Sequence, residues 1–272
     1  MLKKRIIPVV LLRNGVVVQS RKFKRYQMLG SPTATVERLS SWNSDELIYL
    51  DISPSSLYDL GRDDLNHADY DTIEDIIKLI AKRCFVPLTF GGKIRTMGDV
   101  AMRLKNGADK VTFNSALIDS PELITQCSNK YGKQFVVVSI DAKKIETSKY
   151  VVFKGGKTAT NICPFELAKQ AEASGAGEIL INSIDNDGAG EGFDLYLIDR
   201  MAKSVKIPVI ALGGAGEWKH FEDALNTGVS AVAAANIFQH SENSVYNLKK
   251  HLYEKGFNVR KTLDLEKEKK LL

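Results

Sequence analysis

Residues 86–117 read VPLTFGGKIRTMGDVAMRLKNGADKVTFNSAL, and residues 207–238 read IPVIALGGAGEWKHFEDALNTGVSAVAAANIF. Each opens on an apolar run behind a proline, Pro87 or Pro208, and meets a glycine pair, Gly91-Gly92 or Gly213-Gly214. A stretch of helical period follows, then Gly107 or Gly228, a second apolar run, and a small pair, Asn114-Ser115 or Ala235-Asn236. One strand–turn–helix–strand unit repeated at a fixed spacing is what the halves of a duplicated (β/α)8 TIM barrel give. Glycine turns and small residues just past strand ends leave backbone N–H groups free, which suits a phosphate. Two such places, one per half, point to a substrate with a phosphate at each end.

The rest of the chain extends the pattern. Short apolar runs, as parallel strands buried on both faces require, fall at Arg5–Leu12, Leu47–Asp51, Pro87–Phe90, Lys110–Asn114, Phe135–Ile140, Glu178–Asn182, Pro208–Leu212 and Ala231–Ala235. Helical periodicity marks Asp71–Arg83, Met97–Asn106, Pro121–Tyr131, Pro164–Ser174, Leu195–Ser204, Trp218–Thr227 and Asn243–Lys255. Gly107, Gly132, Gly175, Gly228 and Gly256 stand where C-capping glycines stand. The halves match throughout: RIIPVVLL (5–12) with QFVVVSID (134–141), and LIYLDIS (47–53) with LINSID (180–185). No Pro/Ser/Gly linker divides the chain, so the reading is a single barrel over residues 1–258 with a charged tail over 259–272.

Composition agrees with that class. The chain has 272 residues, within the usual range of one α/β barrel, and 44% hydrophobic with 26% charged residues is ordinary for a globular protein. No apolar run is long enough to span a bilayer, so no membrane insertion is expected. The start MLKKRIIPVVLL lacks a small-residue cleavage site and reads as the first barrel strand. Cys84, Cys127 and Cys163 are odd in number and have no metal-ligand spacing, which fits reduced thiols in a cytoplasmic protein with no bound metal and no cofactor. The net charge of +5 forms no basic stripe interleaved with aromatics, and no nucleic-acid partner is expected.

Chemistry in this fold lives at the C-terminal ends of the strands. Asp141 ends a fully apolar strand there, so its carboxylate points into the mouth partly desolvated, which raises a carboxyl pKa toward the range of a general acid or base. The competing reading is a loop-bracing aspartate. Asp51 ends its strand in a similar way and is counted with the substrate-binding residues. In SIDNDGAGEG (183–192) the register lacks the glycine and terminal glutamate of a calcium loop, so Asp187-Gly188 is read as a turn beside the second phosphate.

These motifs, FGG.I, GADKV..N, VVV.IDAK, GAGEIL..SID.DG and GGAG...HF, stand in order from KRII to GFNVR. They resemble the cyclase (synthase) subunit of imidazole glycerol phosphate synthase. That resemblance implies a barrel that takes ammonia from a separate glutaminase subunit, as a heterodimer, and joins it to a carboxamide carrying two phosphates. It implies one phosphate at Asn114 and Ser115. It puts the other at Asp187, Gly188, Gly213, Gly214, Ala235 and Asn236, and a catalytic aspartate at Asp141. It also implies a ring of charges at the bottom of the barrel, Arg5, Glu46, Lys110 and Glu178, guarding the ammonia entrance, with Asp109 facing the glutaminase.

The chain departs from that family in the first half. The family's first catalytic aspartate falls on Leu11, the third glycine of its GGG turn on Lys93, and a loop lysine on Gln19. The segment LYDLGRDDLNHADYDT (57–72) is longer than in the cyclases. Changes gathered around one half of the mouth point to a changed substrate. The expectation is therefore a paralogue serving acetamidino formation on a phosphorylated or nucleotide-linked sugar of bacterial surface polysaccharides, with a sugar amidotransferase as a further partner. Two alternatives stay open: a genuine cyclase subunit of histidine biosynthesis, and a non-catalytic barrel that only conducts ammonia.

Overall fold

Runs of Val, Ile, Leu and Ala that are too short for helices and apolar on both faces can be buried only as parallel strands inside a helical shell. The computed structural model, which describes residues 2–55, 58, 70, 72–147, 149–239 and 244–262, closes them into a barrel. In chain order the first part contains β1 (Arg5–Arg13), β2 (Val16–Arg21), β3 (Arg25–Gly30), α1 (Pro32–Ser41), β4 (Leu47–Asp51) and α2 (Ile73–Ala81). Next come β5 (Leu88–Gly91), α3 (Met97–Lys105), β6 (Lys110–Phe113), α4 (Ala116–Asp119), α5 (Glu122–Tyr131) and β7 (Val136–Glu146). The second half holds β8 (Lys149–Lys154), β9 (Thr158–Ala159), α6 (Pro164–Ala173), β10 (Glu178–Ser183) and α7 (Leu195–Ser204). It ends with β11 (Val209–Leu212), α8 (Trp218–Asn226), β12 (Ala231–Ala234) and α9 (Val245–Glu254). β1, β4, β5, β6, β7, β10, β11 and β12 form the parallel wall, and pairing of β7 with β10 and of β12 with β1 completes the ring.

Two apolar layers hold it. The larger lies between the wall and the helices; it includes Leu12, Tyr49, Phe90, Phe113 and Val138, and Ile77, Phe221 and Leu248 from the helices. The smaller fills the barrel itself: Ile7, Val9, Ile48, Val137, Leu180, Ile210, Ala231 and Ala233 pack together, with Leu11, Leu50 and Ala235 above them. Fully burying a side chain such as Val or Ile contributes roughly 1.5–3 kcal/mol, so the interior is a packed core rather than a pore.

Strand register fixes how the halves correspond. Leu11 lies beside Leu50, four residues after Glu46, and Asp141 lies beside Asn182, four residues after Glu178. Leu11 is thus the counterpart of Asp141. Matching the strands letter by letter from Arg5 and Gln134 is one residue out, because the parity of a strand decides which side chains enter the barrel. Arg5 falls on Phe135, and Leu47 falls on Ile179.

The wall and the helices named above are where periodicity puts them, within one or two residues at most ends. Besides the four-residue α4, too short to show a helical period, two kinds of element lay outside that reading. Helix α1 is rich in Thr, Ser and Val, which weakens its helical signal, yet Ser31 caps it by accepting from Thr33 N, and Pro32 occupies the first turn. The other kind is a pair of hairpins rising from the catalytic face. β2 and β3 fold back on the end of β1, and β7 continues past Ile140 to Glu146 before turning into β8 and β9. The tail expected over 259–272 is described only to Thr262, with Val259 bridged to Lys4; most of the 57–72 segment also lies outside the described residues.

Candidate active site

Asp141 enters the barrel mouth from β7, with the residue as a whole only 7% exposed. Asn114 Nδ2 donates to its Oδ2 at 3.0 Å, and Asn182 Nδ2 reaches its Oδ1 at 3.5 Å. Burial pushes the carboxyl up to about 7; the two amides pull it down, and the charge of Asp187 adds to the rise. A carboxyl in that range exchanges protons readily near neutral pH, as a general acid or base must. Asn182 Oδ1, buried beside it, has no hydrogen-bond partner among the described residues.

Across the mouth the equivalent place holds Leu11, packed over the interior apolar layer with Leu50 and Ala235. It has nothing to donate or accept. Asp51 does not point into the mouth as Asp141 does: register places it beside Leu12, one position past the inward Leu50. Its carboxylate accepts from Ser53 N at 2.9 Å and Tyr58 OH at 3.1 Å and pairs with Lys93 Nζ at 3.1 Å. It braces the loop after β4.

The two anion sites differ. In the second half, Gly214 is required by close approach: a Cβ there would lie 2.0 Å from Gly192 O, and the backbone has φ +116°. The turn is fixed from outside by Gly192 N, which donates to Gly214 O at 2.8 Å, and by His220 Nδ1, which accepts from Gly216 N at 3.2 Å. In the first half the matching position is Lys93, a side-chain-bearing residue at φ +55°. Its ammonium is drawn to Asp51, to Ser55 O and to the face of the Tyr58 ring, 5.4 Å away. Asn114 Oδ1 accepts from Gly155 N at 3.1 Å, so the β8–β9 turn leans on the first site. Inorganic phosphate is accordingly expected to bind the Gly188, Gly213-Gly214 and Asn236 site about tenfold more tightly than the Asn114-Ser115 site. Crystals grown in phosphate with density only at Asn114-Ser115 would contradict that order.

At the opposite end, Arg5, Glu46, Lys110 and Glu178 form a closed ring of alternating charge. Arg5 Nη1 meets Glu46 at 2.5 Å and Glu178 at 2.9 Å; Lys110 Nζ meets the same carboxylates at 3.0 and 3.3 Å. Burial works to lower the Arg5 pKa, but the charges and hydrogen bonds of Glu178 and Glu46 outweigh it and leave it raised. Asp109 sits exposed on that rim, with one oxygen accepting from Leu88 N at 2.8 Å. Phe85, just ahead of β5 on the same end, is 89% exposed. Nothing in the pattern of the sequence marks Phe85, because a lone exposed aromatic has no periodic signature.

The hairpins supply contacts that spacing alone does not show. Ser20 Oγ donates to Asp187 Oδ2 at 2.7 Å, and Lys144 N donates to Asp185 Oδ2 at 2.9 Å. Burial raises the Asp187 carboxyl, against the pull of Ser20 and the Phe23 and Lys22 amides. Among the described residues no cluster of three or more His, Cys, Asp or Glu could hold a metal ion, and no helix is long and apolar enough to cross a membrane.

Residues 5–244 match the histidine biosynthesis protein family. The chain is 42% identical over 257 residues to the imidazole glycerol phosphate synthase subunit HisF of Campylobacter concisus (strain 13826), covering 94% of this chain and 98% of that protein. It is 41% identical to the proteins of that name from Endomicrobium trichonymphae, over 261 residues, and Hydrogenobaculum sp. (strain Y04AAS1), over 262 residues. Each of those alignments covers 96% of this chain, and 96% and 100% of the respective relative. These relatives favour the histidine-pathway alternative over the expectation of a sugar-amidating paralogue, which none of them supports.

Proposed function

The chain belongs to the histidine biosynthesis protein family and is a HisF-like barrel, and from that premise we propose that it is the ammonia-accepting subunit of an imidazole glycerol phosphate synthase-type enzyme, paired with a separate glutaminase in the cytoplasm. The observation that carries this reading is the alignment of three features on one axis: the alternating ring at the bottom, the apolar interior, and Asp141 with a pKa of about 7 at the top. Four mostly buried charges are costly to keep unless they serve a purpose. Between ring and carboxyl lies the apolar layer of Ile7, Ile48, Val137 and Leu180, a setting that disfavours a charged ammonium far more than neutral ammonia. Asp141 then takes or gives protons as ammonia adds to the substrate, and the Gly213-Gly214 turn binds a phosphate.

Two products fit this frame. Closure of an imidazole ring on a doubly phosphorylated carboxamide is favoured by the names of the relatives. Amidation of a sugar is favoured by Leu11 standing opposite Asp141, together with the Lys93 ammonium held by Asp51 and the loop after β4. A barrel that merely passes ammonia onward has no need of a carboxyl tuned to neutrality at its exit.

The common part of the reading is tested by association. The bottom face, with Asp109 and Phe85 on its rim, is expected to bind the glutaminase subunit of the same organism at micromolar concentrations or tighter. Charge reversal by Asp109→Lys should slow association more than it speeds dissociation, because rim charges act mainly on the on-rate. Sedimentation of the mixed subunits as two separate monomers at those concentrations would remove the ammonia-accepting reading.

A further inference from the structure

The β2–β3 hairpin is joined to the barrel at its base and held by something else at its tip. Its base is an ordinary ladder: Leu11, Leu12 and Arg13 pair with Val18, Val17 and Val16, and all three valines are buried. The tip, Arg21-Lys22-Phe23-Lys24-Arg25, is a poor turn. Lys22 and Phe23 adopt φ +53° and +56°, a conformation that glycine and asparagine take easily and long or aromatic side chains do not. Four cations within five residues also repel one another.

Both strained residues are fastened to Asp187, in the loop after β10. Lys22 N donates to Asp187 O at 2.8 Å, and Phe23 N donates to Asp187 Oδ2 at 3.3 Å. Ser20 Oγ donates to the same carboxylate oxygen at 2.7 Å. Around this point the packing leaves no room for a side chain at either of two glycines. A Cβ at Gly188 would stand 2.1 Å from Ser20 O, and one at Gly156, in the β8–β9 turn, 2.2 Å from the Phe23 ring. Asn236 Nδ2, beyond β12, donates to Ser20 O at 2.8 Å. The hairpin therefore leaves β1, touches the ends of β12 and β10, and meets the other hairpin, which rises from β7. It crosses the mouth that contains Asp141.

We infer that Asp187 is a positioning residue that latches the β2–β3 hairpin across the mouth, rather than a residue that binds the substrate phosphate through its side chain. Its three acceptor contacts, to Lys22 N, Phe23 N and Ser20 Oγ, hold the strained turn. The inference rests on the proposed reaction only for its purpose, which is to shut water out while ammonia reacts; the latch itself is a property of the free protein.

The tip sequence makes the test direct, since trypsin cuts after each of its four cations once the backbone is free. In native buffer, Asp187→Ala should be nicked at residues 21–25 about tenfold faster than the unmodified chain, as read by intact mass, because proteolysis follows the population of the open form. Asp187→Asn keeps an acceptor oxygen in place and should restore most of the protection. Ser20→Ala should fall between them. With the glutaminase or ammonia supplied, Asp187→Ala should lower kcat while leaving association with the glutaminase unchanged. If Asp187→Ala is cut faster everywhere, it has lost its fold, and Ser20→Ala and Asn236→Ala decide: acceleration confined to the tip supports the latch. Nicking of the tip at the unmodified rate in the folded variants overturns it. Tip-selective nicking without any ammonia-dependent turnover would keep the latch and sink the proposed function instead.

Discussion

Asp141→Asn should lower ammonia-dependent turnover by about 10²–10⁴-fold, the range general acid–base groups supply, and at the same time raise the melting temperature above neutral pH. The two effects have one cause. Burial holds the Asp141 carboxyl at about 7 in the folded protein, against an ordinary value of 3.8. A carboxyl whose folded pKa is raised binds its proton more tightly when folded. The associated stability is full below about pH 4 and is lost as the pH rises through 7, where the folded state must carry a buried charge. Removing that charge recovers at most on the order of 4 kcal/mol at pH 8, and each kcal/mol moves the midpoint of a chain this size by about 2–4 °C. The asparagine is accommodated by a flip of the Asn182 amide, which turns its Oδ1, otherwise unpartnered among the described residues, toward the new donor while Asn114 Nδ2 still donates to the remaining oxygen. Melting followed from pH 4 to 8 should show the variant gaining steadily on the unmodified chain, with no gain at the acid end. A flat difference across that range would show that Asp141 is not desolvated in the way its geometry requires. Turnover should have an acid limb near 7, absent in the variant.

The barrel was legible because burial on both faces leaves a strong mark, short apolar runs closed by glycines, and because the unit occurs twice. The charged ring was legible through family resemblance; its four members lie far apart in sequence and only the closed sheet brings Arg5 within 2.9 Å of Glu178. Asp141 could be found by its place after an apolar strand. Asp51 has the same place in sequence but the opposite parity, and a one-residue shift turns a side chain from the mouth into the wall. Residues such as Ser20, Gly155 and Gly156 were invisible for a different reason. They matter through contacts between loops far apart in the chain, and hairpins over a barrel mouth are half-exposed, so neither strand alternation nor helical period marks them. Lys93 stood out as a departure from a glycine turn, but its partnership with Asp51 and Tyr58 needed the fold.

Leu11→Asp is expected to raise imidazole ring closure with supplied ammonia by about 10²–10⁴-fold over the unmodified chain, if ring closure is what this barrel does. The cyclases that it resembles use an aspartate from each half of the barrel, and register places Leu11 opposite Asp141 in that scheme. An aliphatic side chain transfers no proton, so the unmodified chain should turn over the histidine-pathway substrate slowly and support little or no growth of a histidine auxotroph lacking its own cyclase subunit. A carboxyl at position 11 would sit over Leu50 and Ala235 in a largely apolar setting, which raises its pKa toward neutrality as burial does for Asp141. Lys93 and the segment after β4 remain in place and should keep the recovery below the full factor. The outcomes separate the two products. Robust growth from the unmodified gene would show that Asp141 suffices and place the chain in the histidine pathway. Growth only with Leu11→Asp would show a ring-closing framework that has lost one of its acids. No growth from either, with the glutaminase still bound and Asp141 still titrating near 7, would turn the balance to amidation of a different substrate, such as a sugar.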